Sequence, residues 1–183
     1  KVFLPVFLFS AAAATPLIAA PNGAGYYDTS EYLMGSIAVN IVFPESNGSI
    51  QPNTETWTEP RKGEVVSQIQ QAMNWWAARE SRARLSFVYP TPVTVATGYE
   101  PITCDAAAAP GLPYDESDWI GQVMTTLGYA TGDYIERVYA YNNAVRTANG
   151  TDWAITIFVA DSNNDLDGEF ADGLLAYAYL GGP

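Results

Sequence analysis

WAITIFVADSNNDLDGEFADGLLAYAYL, residues 153–180, reads as strand, carboxylate-rich loop, strand. The run 153–160 is apolar and rich in β-branched and aromatic side chains, the composition of a buried strand. Residues 161–173 carry acids, asparagines and glycines, and the chain then turns apolar again. The second run, Leu174, Leu175, Ala176, Tyr177, Ala178, Tyr179 and Leu180, is expected to form a sheet edge. No other part of the chain crowds so many chemistry-capable side chains together.

Working back from this stretch, the periodicity changes to that of helices. Residues 133–148 place Ile135, Val138, Tyr139, Asn142 and Val145 on one stripe, and Asn149-Gly150 stops the helix. Asn142 is expected to be a satisfied polar group at the rim of the core. Before it, Ser117 is a candidate N-cap for a helix with Ile120, Val123, Met124 and Leu127 on one face and Gly128 at its end. Residues 84–97 predict a strand broken at Pro90 and Pro92, hence at an edge or bent. Residues 64–80 predict the clearest helix, preceded by Pro60, with Val65, Ile69, Ala72, Met73 and Trp76 at helical spacing. Trp76 is expected in the core, and its neighbour Trp75 on another part of the helix surface. Residues 32–43 alternate as a strand. With a strand read at residues 2–9, the order strand, strand, helix, strand, helix, helix, strand, strand predicts an α/β (α+β) fold: a mixed sheet backed by the tryptophan helix and two further helices.

The first twenty residues form an extension, 21–30 a linker, and 31–183 one α/β domain. KVFLPVFLFS is apolar on both faces. A signal-peptide tail, with the alanines at 11–14 as cleavage region, is one reading of it. The reading preferred is a strand interrupted by Pro5, in which Val2, Phe3, Leu4, Val6, Phe7, Leu8 and Phe9 pair within the sheet or with a neighbouring copy. Nine apolar residues are too few to span a bilayer as a helix, which takes about 20.

Composition narrows the function. Eight basic against 20 acidic residues give a net charge of −12, which argues against nucleic acid and anionic membranes as partners. The chain has no histidine, so histidine-based proton transfer, serine and cysteine nucleophile activation by imidazole, and imidazole–zinc sites are excluded within it. Cys104 is the single cysteine, which rules out an intrachain disulfide. The remaining chemistry is that of carboxylates. Asp161, Asn163, Asp165, Asp167, Glu169 and Asp172 put side-chain oxygens at positions 1, 3, 5, 7, 9 and 12 of a loop, a pattern able to wrap a calcium ion. Leu166 stands where an EF-hand needs glycine, and Asp172 where it needs a bidentate glutamate. A solvated turn between strands explains the same residues. Paired-carboxylate glycoside hydrolysis is disfavoured, because acids this close on an open loop do not acquire the split pKa values it requires. Asn47 and Asn149 begin glycosylation sequons.

Four segments together carry a family resemblance: YYDTSEYLMGSIAVNIVFPESNGSIQPNTETWT (26–58), VVSQIQQAMNWWAAR (65–79), LSFVY (85–89) and GTDWAITIFVADSNNDLDGEFADGLLAYAYLGGP (150–183). They resemble the amino-terminal part of secreted bacterial zincin-like metalloproteases. The resemblance implies an extracellular protein with a mixed sheet backed by a long helix. In the family a further strand and a His-Glu-x-x-His zinc helix follow the GGP segment. None of those motif positions exists in this chain, so no catalytic residue carries over and no zinc is expected in it. The expectation is a non-catalytic domain, a processed or truncated form of such an enzyme, whose partner is the missing catalytic portion. Two alternatives stand beside it. One is a filament subunit assembled with copies of itself by strand exchange; the other is a calcium-dependent carbohydrate-binding module.

Overall fold

A computed structural model describes residues 24–30, 32–52, 54–102, 116–165, 168–170, 174–176 and 178. The chain is α/β. Strand β1 (Ser36–Ser46) is the spine of the sheet, and nine of its eleven residues are buried. It is followed by α1 (Glu59–Arg79), β2 (Ser86–Val88), β3 (Val93–Thr97), α2 (Ser117–Thr126), α3 (Tyr134–Asn149) and β4 (Trp153–Phe158). The expected strand at 2–9 lies outside the described residues.

Every ladder is parallel to β1. β4 lies along one edge, from Ile37↔Trp153 to Val42↔Phe158. β2 and β3 follow one another along the other edge, paired from Ser36↔Ser86 and from Val42↔Val93. Antiparallel pairing among the described residues is confined to the bridge Asn47↔Thr54. The side chains of β1 alternate between two cores, as a strand covered on both faces requires. Ile37, Val39, Ile41 and Phe43 meet Trp57 and the α1 residues Val65, Val66, Ile69 and Met73. On the opposite face Val42 joins Trp119, Ile120, Val123 and Met124 of α2 and Val138 of α3. The molecule is therefore a sheet between two helical layers.

Three prolines sit where the parallel ladders tolerate them. Asn47 donates to Thr97 on the β3 side, whereas Val42 accepts from Val159 on the β4 side, so even-numbered β1 residues turn their backbone groups toward β4. Pro44 thus points its missing N–H at an edge where the β4 ladder has already ended at Val42. Pro90 and Pro92 separate β2 from β3, as the sequence predicts. Five steps from Val88 to Val93 oppose only four from Ala38 to Val42, so the edge strand carries one extra residue. That insertion flips its faces: Phe87 and Tyr89 pack in the α1 core, and Val93 and Val95 in the α2–α3 core.

Several expectations are corrected. The strand expected from residue 32 begins at Ser36, because Gly35 takes a left-handed backbone (φ 71°) that breaks the extended run; a Cβ there would collide with the Asp152 carboxylate. Tyr32, Leu33 and Met34 are exposed. Helix α1 starts at Glu59, with Pro60 inside its first turn, where the missing N–H would have had no partner. The N-cap of α2 is Glu116 and Ser117 is already helical.

Trp76 is not in the core. The α1 face that meets the sheet stops at Met73, and Trp76 is 49% exposed, Trp75 50%. The two rings pack edge to face at 5.0 Å instead, with the Arg79 guanidinium 4.5 Å over Trp75. Trp75→Ala and Trp76→Ala are each expected to cost less than about 1 kcal/mol in urea unfolding, the scale of a surface change plus one cation–π contact.

Helix α3 is delimited as its sequence states. Asp133 and Glu136 close a reciprocal capping box, and Gly150 (φ 61°) ends the helix. Asn142 is wholly buried, not at the rim. Its Oδ1 accepts from Thr156 Oγ1 at 2.6 Å and from Asn40 Nδ2 at 3.3 Å, while its own Nδ2 has no partner. It is partly satisfied. Arg146, unremarked in the sequence, is 7% exposed and ties the entering chain down by donating to the Gly25 and Asp28 carbonyls.

Candidate functional site

β4 is covered unevenly along its length. Its first residues, Trp153 and Ala154, are buried, but the following four are only half-buried although just as apolar. The backbone explains the change. Val159 N–H donates to Val42 across the β1 ladder, and Ala154 N–H donates outward to the Thr29 carbonyl at 2.9 Å. Successive strand residues turn their backbone groups to opposite edges, so Thr156 and Phe158 also face outward. Thr29 covers the first outward position. Among the described residues no backbone group pairs with the next two.

A cleft of about 680 Å³ follows this edge. Six consecutive residues, 155–160, line it, which only a groove seen edge-on permits. Val65, Gln68 and Ile69 of α1 form one wall, and Ile135 and Val138 of α3 the other. None of its described lining residues is charged.

The expected edge residues lie at its mouth. Leu175, Ala176 and Ala178 line the cleft, Leu174 and Leu175 are exposed, and none of these four is in a strand. Tyr177, Tyr179 and Leu180 lie outside the described residues, as do Val2, Phe3, Leu4, Val6, Phe7, Leu8 and Phe9.

At the carboxyl ends of the strands sits a buried acidic corner. Asp161 leaves β4 and is 2% exposed; Glu55, in the loop before α1, is 5% and Glu100, after β3, is 2%. Arg61, in the first turns of α1, grips Asp161 through both nitrogens, Nη2 to Oδ1 at 2.6 Å and Nη1 to Oδ2 at 2.7 Å. The same guanidinium lies 5.1 Å over the Trp57 ring. Asn164 donates to Glu55 Oε2 and to the Thr54 carbonyl, a second tie between the loop after β4 and the loop before α1.

Of the six candidate calcium ligands, Asp161 is thus turned inward onto an arginine and also accepts from Asn163 N–H. Asn163 and Glu169 are exposed, and Asp165 closes a turn onto Ser162. Asp167 and Asp172 lie outside the described residues. Among the described residues no three acids, cysteines or histidines are placed to hold a metal ion. Glu55 and Glu100 were not candidates in the sequence, and nothing in their neighbourhoods marks them. Their burial comes from contacts far along the chain.

Burial pushes the Glu55 carboxyl above its ordinary value, and the nearby Asp161 and Glu100 push it the same way. A carboxyl whose folded pKa is raised disfavours folding once ionised, so this cost appears as pH rises above the ordinary glutamate range. Glu55→Gln is therefore expected to melt higher than the parent at pH 7, with the gap closing toward pH 4. Calorimetry at the two pH values checks it; an equal gap at both removes Glu55 as the cause.

No family model, curated protein or solved structure matches this chain. Among the described residues no helix is long and apolar enough to cross a membrane.

Proposed function

We propose that the chain is the non-catalytic, amino-terminal portion of a secreted zincin-like metalloprotease, a sheet platform on which a catalytic portion is completed. The reading is carried by the apolar cleft along β4, which leaves the sheet unfinished on one side. The family resemblance supplies the rest: a further strand and a zinc helix follow in such enzymes. The test is the protein from its native source. Intact mass should show a species that continues past Pro183 into a His-Glu-x-x-His segment, with zinc and protease activity confined to it. A native species ending at Pro183, with no zinc-binding or proteolytic chain accompanying it, would sink the reading.

A second reading uses the same edge differently. In a filament, the apolar segment 2–9 of one copy would pair with β4 of the next. Deleting residues 2–9 should then abolish assemblies seen by size exclusion; unchanged assemblies remove this reading. The calcium-dependent carbohydrate module ranks lowest, because the first residue of its oxygen pattern is committed to Arg61. Calcium at about 100 times its dissociation constant would add about 2.7 kcal/mol, so an unmoved melting temperature in millimolar calcium ends it.

A further inference from the structure

We propose that a tyrosine-walled cleft beside the α2–α3 loop binds a small organic cation, an alkylated ammonium that carries no phosphate. This cleft shares no described lining residue with the one along β4. The inference therefore depends neither on the protease nor on the unfinished edge.

The walls come from two segments far apart in the chain. Tyr26 and Tyr27 belong to the segment entering the domain, and Tyr129 to the loop joining α2 to α3; together they line a cavity of about 420 Å³. Both walls are braced by α3. Tyr139 packs edge to face on Tyr27 at 5.5 Å, and Tyr141 on Tyr129 at 5.3 Å. Tyr26 meets Tyr27 in the same way at 5.0 Å. The backbone beneath the rings is held as well. Arg146 binds the Gly25 and Asp28 carbonyls on either side of the tyrosine pair, and Tyr129 N–H donates to Met124 at 2.9 Å. Tyr26 and Tyr27 still leave about half their surface exposed. Aromatic surface set on so firm a support is arranged before any ligand arrives, which lowers the cost of binding one.

Charge selects the ligand. Among the described lining residues only Glu136 is charged. Its carboxylate folds over Gly132, where a Cβ would strike it, and Gly132 takes a left-handed backbone (φ 83°). Oε2 accepts from Asp133 N–H at 3.1 Å, and Oε1 has no partner among the described residues. The two arginines of α3 do not line the cleft; Arg137 is committed to the Gly121 and Gly132 carbonyls, and Arg146 to the contacts above. Tyrosine faces and one carboxylate attract a cation, and the net charge of −12 adds to the pull. A hard ion such as calcium needs six or more oxygens, which this lining does not supply. An alkylated ammonium needs only ring faces and a counter-charge. A phosphate on the ligand would find no described cation in the lining and would face Glu136.

The probe is choline, titrated into the parent chain and followed by calorimetry and by the Tyr27 and Tyr129 ring signals in NMR. Saturable binding below about 10 mM that shifts both rings is expected. The neutral isostere, with carbon in place of the ammonium nitrogen, should bind at least about tenfold more weakly, and so should phosphocholine. Equal binding by either, equal binding by methyl glucoside, or no saturable choline binding overturns the proposal.

Two variant pairs test the residues. Tyr27→Leu should weaken choline binding at least about threefold while Tyr27→Phe, which keeps the ring, binds as the parent does. Glu136→Gln removes the charge but still suits a capping box, and should also weaken binding at least about threefold. Parent-like affinity in Tyr27→Leu or Glu136→Gln overturns the proposal. Should a variant fail to fold, the ligand series on the parent chain still decides.

Discussion

Arg61→Met is expected to lower the unfolding free energy by about 2–3 kcal/mol. Removing one member of a buried ion pair typically costs about 3–5 kcal/mol, since the other charge is left without a partner. The lower figure reflects the geometry: the Asp161 side chain is 1% exposed, but Arg61 is 36% exposed, so solvent screens part of the loss. Methionine keeps the apolar contact with Trp57 while deleting the charge. The double variant Arg61→Met/Asp161→Asn should cost less than the single one, because no orphan carboxylate remains. Urea unfolding of the two variants at pH 7 measures both costs. A double variant as unstable as the single one would mean that the pair's value lies in shape and not in charge.

Phe43→Ala is expected to cost about 3–5 kcal/mol, the range for a large aromatic removed from a core that collapses only partly. Phe43 is fully buried in the middle of β1, with its ring 4.8 Å from that of Trp57 at 62°. It holds the loop before α1 as well as the sheet, since the Trp57 indole donates to the Pro44 carbonyl. The variant should therefore also loosen the acidic corner, seen as faster hydrogen exchange at Asn163 and Asp165 with little change in α3. A loss confined below about 1 kcal/mol would show that Trp57 and its neighbours close over the gap.

The sequence is legible where the cause is local. The alternation through Ile37, Val39 and Ile41, the apolar run at 153–158, the Asp133–Glu136 box and the break at Pro90 and Pro92 each announce an element within a few residues. The α/β class follows from their order. What the sequence hides is long-range. Arg61 and Asp161 are a hundred residues apart, and Ser36 and Asp152, whose side chains staple the bases of β1 and β4, are 116 apart. Asp161 opens a run of alternating oxygens that imitates a cation cradle, yet the cation it meets is a guanidinium from α1. Helical spacing likewise assigned Trp76 to a buried stripe. Spacing reports which way a side chain points along the helix, not whether anything waits for it there.

β1 pairs on both edges, and the two partners arrive at very different times as the chain is made. β2 and β3 lie soon after α1, but β4 begins only at Trp153. At roughly 5–20 residues per second, synthesis from Ser46 to Trp153 takes about 5–20 s. Throughout that interval the most buried of the described strands has one naked edge. The β4 edge of β1 is thus the last part of the described sheet to be paired.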